Sequence, residues 1–274
     1  MATHMTVTEI PPARADFVET RVYRRPRDGR LIQTRLNTIT REYLALSRNA
    51  LEKRIQLCHR IGCLRYALSR SDEEIMTAFQ AACEQIPFLL AQETRPIDGS
   101  LALALWGIAA IASDLDVLRS LAIVDPNRIG SQHAVPRYTR MLAALFRALQ
   151  RLASGDPRYM SDIADYDRES TAKKRIKSRT LAQAFQWSRG LRDMIASAAA
   201  DAQTVEVALA ARVRYLDDSY GPDDLADHEG LLDVHGLGVI AVLRRRGFTA
   251  ATSAGPLPSD LLRALANADS KRDL

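Results

Sequence analysis

Apolar side chains recur along most of this chain at intervals of three and four, the period of a helix with one face turned to a core. From Thr38 the series Ile39, Tyr43, Leu46, Ala50, Ile55, Cys58, Ile61, Leu64 predicts a helix running to about Ser69, with Gly62 as its weak point. Ser71-Asp-Glu-Glu74 then has the form of a capping box, in which serine and glutamate serve each other's backbone amides. The helix it opens turns Ile75, Phe79, Ala82 and Ile86 inward until Pro87 kinks or ends it. These two helices are expected to pair as an antiparallel hairpin. Asp98-Gly-Ser100 starts the next, and the run Leu101 to Ala112 has no polar face, which predicts a helix buried on every side. Ser113-Asp-Leu-Asp116 opens a short helix to about Ile123, and Asp125 to Gly130 reads as a loop. Pro136 suits the first position of a helix that carries Met141, Leu142, Leu145, Phe146, Leu149 and Leu152 and stops before Gly155.

In the second half, Ala172 to Ser188 begins basic and turns amphipathic at Leu181, Phe185 and Trp187, and Arg189-Gly190 interrupts it before Leu191 to Ala200. Asp201 is placed to cap a helix with Val205, Ala208, Leu209, Val213 and Leu216 inward. Leu231 to Arg246 reads as an apolar helix with acids at its start and Arg244, Arg245 and Arg246 at its end, the polarity that the helix dipole favours. Gly247 stands where such a helix stops. A last short helix is expected from Leu261 to Ala268. The fold class is therefore all-α: an irregular bundle of antiparallel helical hairpins, about eight to ten helices, with no significant β-sheet. Residues 1–36, with Pro11, Pro12, Pro26, Gly29 and many arginines, read as an irregular basic arm. Residues 37–274 read as one helical domain, with the polar stretch 155–171 the best place for a subdivision. The succession of hairpins lacks the Trp, Gly, Tyr and Pro spacing of tetratricopeptide repeats.

Composition narrows the setting. A chain of 274 residues with 47% hydrophobic and 26% charged side chains is long enough to bury a substantial core without staples. Three cysteines, Cys58, Cys63 and Cys83, fit a reducing cytoplasm better than a disulfide framework. The first residues contain no apolar signal core, and the longest apolar run, Leu101 to Ala112, falls well short of the roughly 20 residues that span a bilayer. A cytoplasmic protein without a membrane partner is expected. The net charge of +5 is distributed in blocks. Residues 1–70 hold 14 basic against 6 acidic side chains, 71–170 hold 9 against 14, and 171–215 hold 9 against 3. The block 216–235 holds 7 acids and no Lys or Arg. Such segregation bears on partners and encounter rates more than on fold.

Signatures of chemistry are sparse. Cys58-His59-x3-Cys63 brings three ligand types together, but neighbours on a helix project about 100° apart and no second ligand pair follows, so core packing explains it better than a metal. His228-Glu229 lacks the second histidine of a zincin, and no Gly-x-Ser-x-Gly elbow is present. Gly236-Leu-Gly238 is a glycine pair in an apolar helix, where close helix packing is the better reading than a phosphate loop. Neither a catalytic residue, a metal nor a cofactor is assigned. Arg54 to His59 and Arg128 to His133 resemble the Arg-x4-His motif of HEPN-type ribonucleases, helical proteins that use such a pair for acid-base cleavage, but both have Ile after the Arg, where that family has a polar residue. Lys173, Lys174, Arg175, Lys177 and Arg179 form the one basic run that could contact phosphates. Thin aromatic interleaving and the acidic block speak against nucleic acid as the partner.

The acidic stretch is the segment that packing leaves unexplained. Asp217, Asp218, Asp223, Asp224, Asp227, Glu229 and Asp233 form a natural docking surface for a cationic partner, since charge complementarity speeds encounter and opposes wrong partners. From the first hairpin to Phe248 the chain resembles the immunity protein 49 family, all-helical proteins found beside bacterial polymorphic toxins. The resemblance is carried by the Phe79-Gln-Ala-Ala-Cys83 helix, the buried Leu101 to Ala112 helix, and Leu231-Leu-Asp-Val-His235 leading to Val239-Ile-Ala-Val-Leu-Arg-Arg-Arg-Gly247. It implies an antitoxin that binds and occludes a cognate toxin or effector without catalysis of its own. The basic arm lies outside the match.

Overall fold

A computed structural model of the protein describes residues 28–68, 70–92, 95–130, 136–171, 179–219, 231–248 and Leu262. The architecture is all-α, with one two-residue parallel pairing as the only sheet among the described residues.

Helix α1 spans Asp28–Ala45 and α2 spans Leu51–Ala67. The expected arm therefore becomes helical ten residues earlier than Thr38, with Ile32, Leu36 and Ile39 buried on one stripe. The single helix expected from Thr38 to Ser69 is two helices, because the chain breaks between Ala45 and Leu51. Gly62 does not weaken α2. The ring of Phe79 occupies the space a side chain would take, and a Cβ at 62 would stand 2.5 Å from Phe79 Cε2. Phe79 lies on α3, Asp72–Cys83, whose start is the capping box: Glu74 N donates to Ser71 Oγ and Ser71 N to the Glu74 carboxylate. Arg65 Nη1 donates to Glu74 O while His59 meets Phe79, so α2 and α3 run antiparallel as expected. Pro87 sits in the first turn of the short α4, Ile86–Leu90, where it lacks no hydrogen bond.

Strand β1, Ile97–Asp98, pairs in parallel with β2, Ile129–Gly130, and leads into α5, Gly99–Ala112. Asp98 caps α5 by accepting from Ser100 N and Leu101 N. Every residue of α5 except Ser100 is buried, as its lack of a polar face requires. Ser113 ends α5 in the left-handed conformation, φ 57°, and Asp114 instead caps α6, Leu115–Ala122, by accepting from Val117 N. Within the expected Ser113-Asp-Leu-Asp116 start, the capping side chain is therefore Asp114, and Ser113 closes the preceding helix.

Helix α7 spans Pro136–Ser154 and is stopped by Gly155 at φ +76°. The polar stretch taken as a subdivision folds as α8, Tyr159–Thr171, lying along α7. Its sequence reads as polar because its buried contacts are themselves charged. Asp162, buried, receives Arg147 at 3.0 Å and Arg151 at 2.9 Å from α7. Helix α9, Arg179–Ser197, passes through Arg189-Gly190 without a break. Asp201 caps α10, Ala202–Ser219, accepting from Thr204 N at 2.8 Å. Helix α11, Val234–Arg245, ends at Gly247, φ +87°. The helix expected from Leu261 lies outside the described residues except for Leu262, which is buried.

At the centre α5 and α11 cross in backbone contact. A Cβ on Gly238 would lie 2.6 Å from Gly107 N, and one on Gly107 would collide with the Val234 carbonyl. The glycines of 236–238 thus include a packing glycine and no phosphate loop. Around this crossing the buried apolar side chains form one cluster reaching from Ile32 on α1 to Leu262. Among the described residues no helix is long and apolar enough to cross a membrane.

Candidate functional site

The acidic stretch divides into parts with different surroundings. Asp217 and Asp218 belong to the last turn of α10, and Asp218 is exposed. Asp223, Asp224, Asp227, Glu229 and His228 lie outside the described residues. Asp233 does not belong to a surface. It is fully buried, and its inclusion in a docking surface is corrected by what it holds.

Asp233 caps α11, accepting from Gly236 N at 3.1 Å, and forms a two-pronged pair with Arg212 of α10. Arg212 Nε donates to Oδ2 at 2.8 Å and Nη2 to Oδ1 at 3.1 Å. Both side chains have 0% exposure, so the pair is desolvated on every side and depends on its geometry for compensation. The third nitrogen, Nη1, donates to Trp187 O at 2.6 Å, and the guanidinium sits 5.6 Å from the Trp187 ring and 5.7 Å from that of Tyr215. Space for it comes from Gly190, where a Cβ would lie 2.9 Å from Nη1. One arginine therefore ties α9, α10 and α11 together.

His235 adjoins this pair. Its Nε2 lies 3.1 Å from Ser100 O; a carbonyl can only accept, so Nε2 carries the proton and donates it there. Its ring meets Trp187 edge to face at 4.7 Å and His59 at 6.1 Å. Burial, helped by the Arg212 charge, lowers the His235 pKa to about 4 against the opposing pull of Asp233, 4.0 Å away, and of the hydrogen bond to Ser100 O. The imidazole is neutral at physiological pH. Sealed from solvent and with its proton held by a backbone carbonyl, this histidine braces α11 against the start of α5.

The other candidates disperse. Cys58, His59 and Cys63 are all buried in α2, and the described residues contain no group of three or more His, Cys, Asp or Glu side chains able to hold a metal. Burial pushes the Cys58 and Cys83 thiols up, which disfavours the thiolate that nucleophilic or metal chemistry needs. Arg54 and His59 are five residues apart on α2, about 140° around the helix, and they meet different neighbours. Arg54 donates to Tyr43 Oη at 2.9 Å and opens on a surface cleft, while His59 faces Phe79 and His235 inside. Arg128 donates to the carbonyls of Leu89, Leu90 and Gln92, closing the end of α4; His133 is outside the described residues. So are Lys173, Lys174, Arg175 and Lys177, with Arg179 at the first position of α9.

Arg212 is the residue that sequence reading passed over. Val205, Leu209, Arg212 and Leu216 are the buried positions of α10, whereas Val213 is only half-buried. The spacing of four, three and four was present in the sequence with an arginine in a core position, and that arginine, opposite an acid-rich stretch, was the signal of a buried pair. No family model, curated protein or solved structure matches this chain.

Proposed function

We propose that the protein is an immunity-type binding protein that neutralises a cognate toxin or effector by occluding it, with the acidic segment before α11 as its docking element. The observation that carries this reading is the Arg212–Asp233 clasp. It joins two positions 21 residues apart in sequence, and the acids Asp217, Asp218, Asp223, Asp224, Asp227 and Glu229 all fall between them. Buried Leu216 on one side and buried Leu231 and Leu232 on the other fasten the same segment to the core. An acidic segment tethered at both ends loses less freedom on binding than a free tail would, which favours tight complexes. Asp233 and His235 are both committed inside the fold, to Arg212 and to Ser100 O, which favours binding over catalysis for this stretch.

The resemblance of Leu231 to Gly247 to immunity protein 49 chains agrees with this reading and supplies the class of partner. Nothing in the placement of Arg54 and His59 favours the ribonuclease alternative. Co-expression with the product of the neighbouring gene, tested as the toxin, is the direct test: the expected result is protection of the host cell and a complex that co-elutes in size exclusion. Unrelieved toxicity together with separate elution would sink the proposal.

A further inference from the structure

Away from the clasp, an open cleft of about 570 Å³ lies between the α1–α2 break and α4. We infer that it binds a small organic anion bearing an apolar ring, the anionic group on Arg48 and Arg54 and the ring on Phe88 and Leu51. This does not rest on the immunity reading and stands or falls separately.

Four observations carry it. First, the lining contains two arginines and no carboxylate. Arg48 is exposed and has no ion pair or hydrogen bond among the described residues. The partners of Arg54 are neutral: Tyr43 Oη, the Tyr43 ring at 4.5 Å and Leu46 O at 3.4 Å, while its Nε is buried without a hydrogen-bond partner. The acids nearest the two arginines in sequence, Glu42 and Glu52, are engaged with Lys53 at 3.0 Å and Arg95 at 3.2 Å, and Glu84, exposed beside Gln85, is not among the residues that line the cleft. Two guanidinium groups on one cleft, with no carboxylate among the lining residues, suit a carboxylate, sulfonate or phosphate.

Second, Phe88 lines the same cleft from α4 and is 65% exposed, an aromatic surface left uncovered. Third, the amide side chains of Asn49, Gln85 and Gln92 supply donors and acceptors that a polar substituent can use. Fourth, the volume falls in the range of small-ligand sites, about 300–1,000 Å³, and one wall is held in place, since Arg128 ties the carbonyls of Leu90 and Gln92 at 2.7 and 2.8 Å.

The test uses the full chain and two fluorescent probes, anilinonaphthalene sulfonate and phenylnaphthylamine, which share their rings and differ in the sulfonate. The sulfonate probe is expected to bind saturably with one site, and the neutral probe about tenfold more weakly, the worth of one charge-assisted contact. Arg48→Gln and Phe88→Ala alter exposed side chains and should each weaken the sulfonate probe about tenfold. Their circular dichroism and melting must match the parent, because loosened cores also take up this probe. Equal affinity for the two probes, uptake that does not saturate, or unchanged binding in both variants would overturn the inference.

Discussion

Gly107 and Gly238 bring α5 and α11 into backbone contact, with only 2.6 Å between the Gly107 amide nitrogen and the place where a Cβ on residue 238 would stand. A methyl group there cannot be absorbed by turning a side chain, because the obstacle is main chain. Gly238→Ala should lower unfolding free energy by about 1–3 kcal/mol, the range for overpacking a tight core. Gly107→Ala should cost more, since its Cβ meets the Val234 carbonyl. Urea denaturation of the two variants checks the order; equal or negligible losses would mean the helices cross elsewhere.

Removing one member of the Arg212–Asp233 pair leaves the other as an uncompensated buried charge. Arg212→Met or Asp233→Leu is expected to cost about 3–5 kcal/mol. The double variant Arg212→Met with Asp233→Leu should lose less than the sum, because no charge is left stranded, although the cap on Gly236 N goes with Asp233. Additive losses in the double-mutant cycle would show that the two residues act independently.

His235 makes stability depend on pH with a definite sign. Its pKa is lowered to about 4 in the fold, against 6.5 in an unfolded chain. The folded state therefore disfavours the proton, and the stabilisation is fully present above pH 6.5 and is lost as pH falls through 4. Over that window the loss attributable to this group is about 3 kcal/mol. His235→Gln keeps a donor for Ser100 O and does not titrate, so its stability should be flatter between pH 6.5 and 4 than the parent's. Parallel pH profiles of the two proteins would remove His235 as the cause.

Neutralising Asp223, Asp224 and Asp227 to asparagine together should slow association with the toxin about tenfold or more at low salt and leave dissociation less changed, as steering charges do. Stopped-flow association at two salt concentrations reads this directly. An on-rate that ignores both the substitutions and the salt would place the interface on another face.

Much of the helical order was legible from local rules. The capping box at Ser71, the cap at Asp201, the proline start at Pro136 and the glycine stops at Gly155 and Gly247 each act within one turn of chain, and each stands where the pattern put it. Errors arose where two elements share a local signal. Leu46 and Ala50 continue the period of α1 toward that of α2, so the break between them is invisible to a periodicity argument. Tyr159 to Thr171 reads as polar because Asp162 is matched by Arg147 and Arg151 from another helix. Gly62 and Gly190 looked like interruptions because the side chains that fill their space, Phe79 and Arg212, come from elsewhere in the chain.

By itself the sequence determined an all-helical chain, a central helix that had to be buried on every side, and a closing helix with acids at its start and arginines at its end. These follow from side-chain period, capping and the helix dipole, which are properties of neighbours in sequence. Tertiary structure alone decided that Asp233 is a core residue while Asp218 is a surface one. Composition gives all seven acids the same charge. Which of them can be taken out of water depends on which one meets a cation, and Arg212 reaches Asp233 only because Gly190 leaves room for its guanidinium and the helices α9, α10 and α11 converge around it.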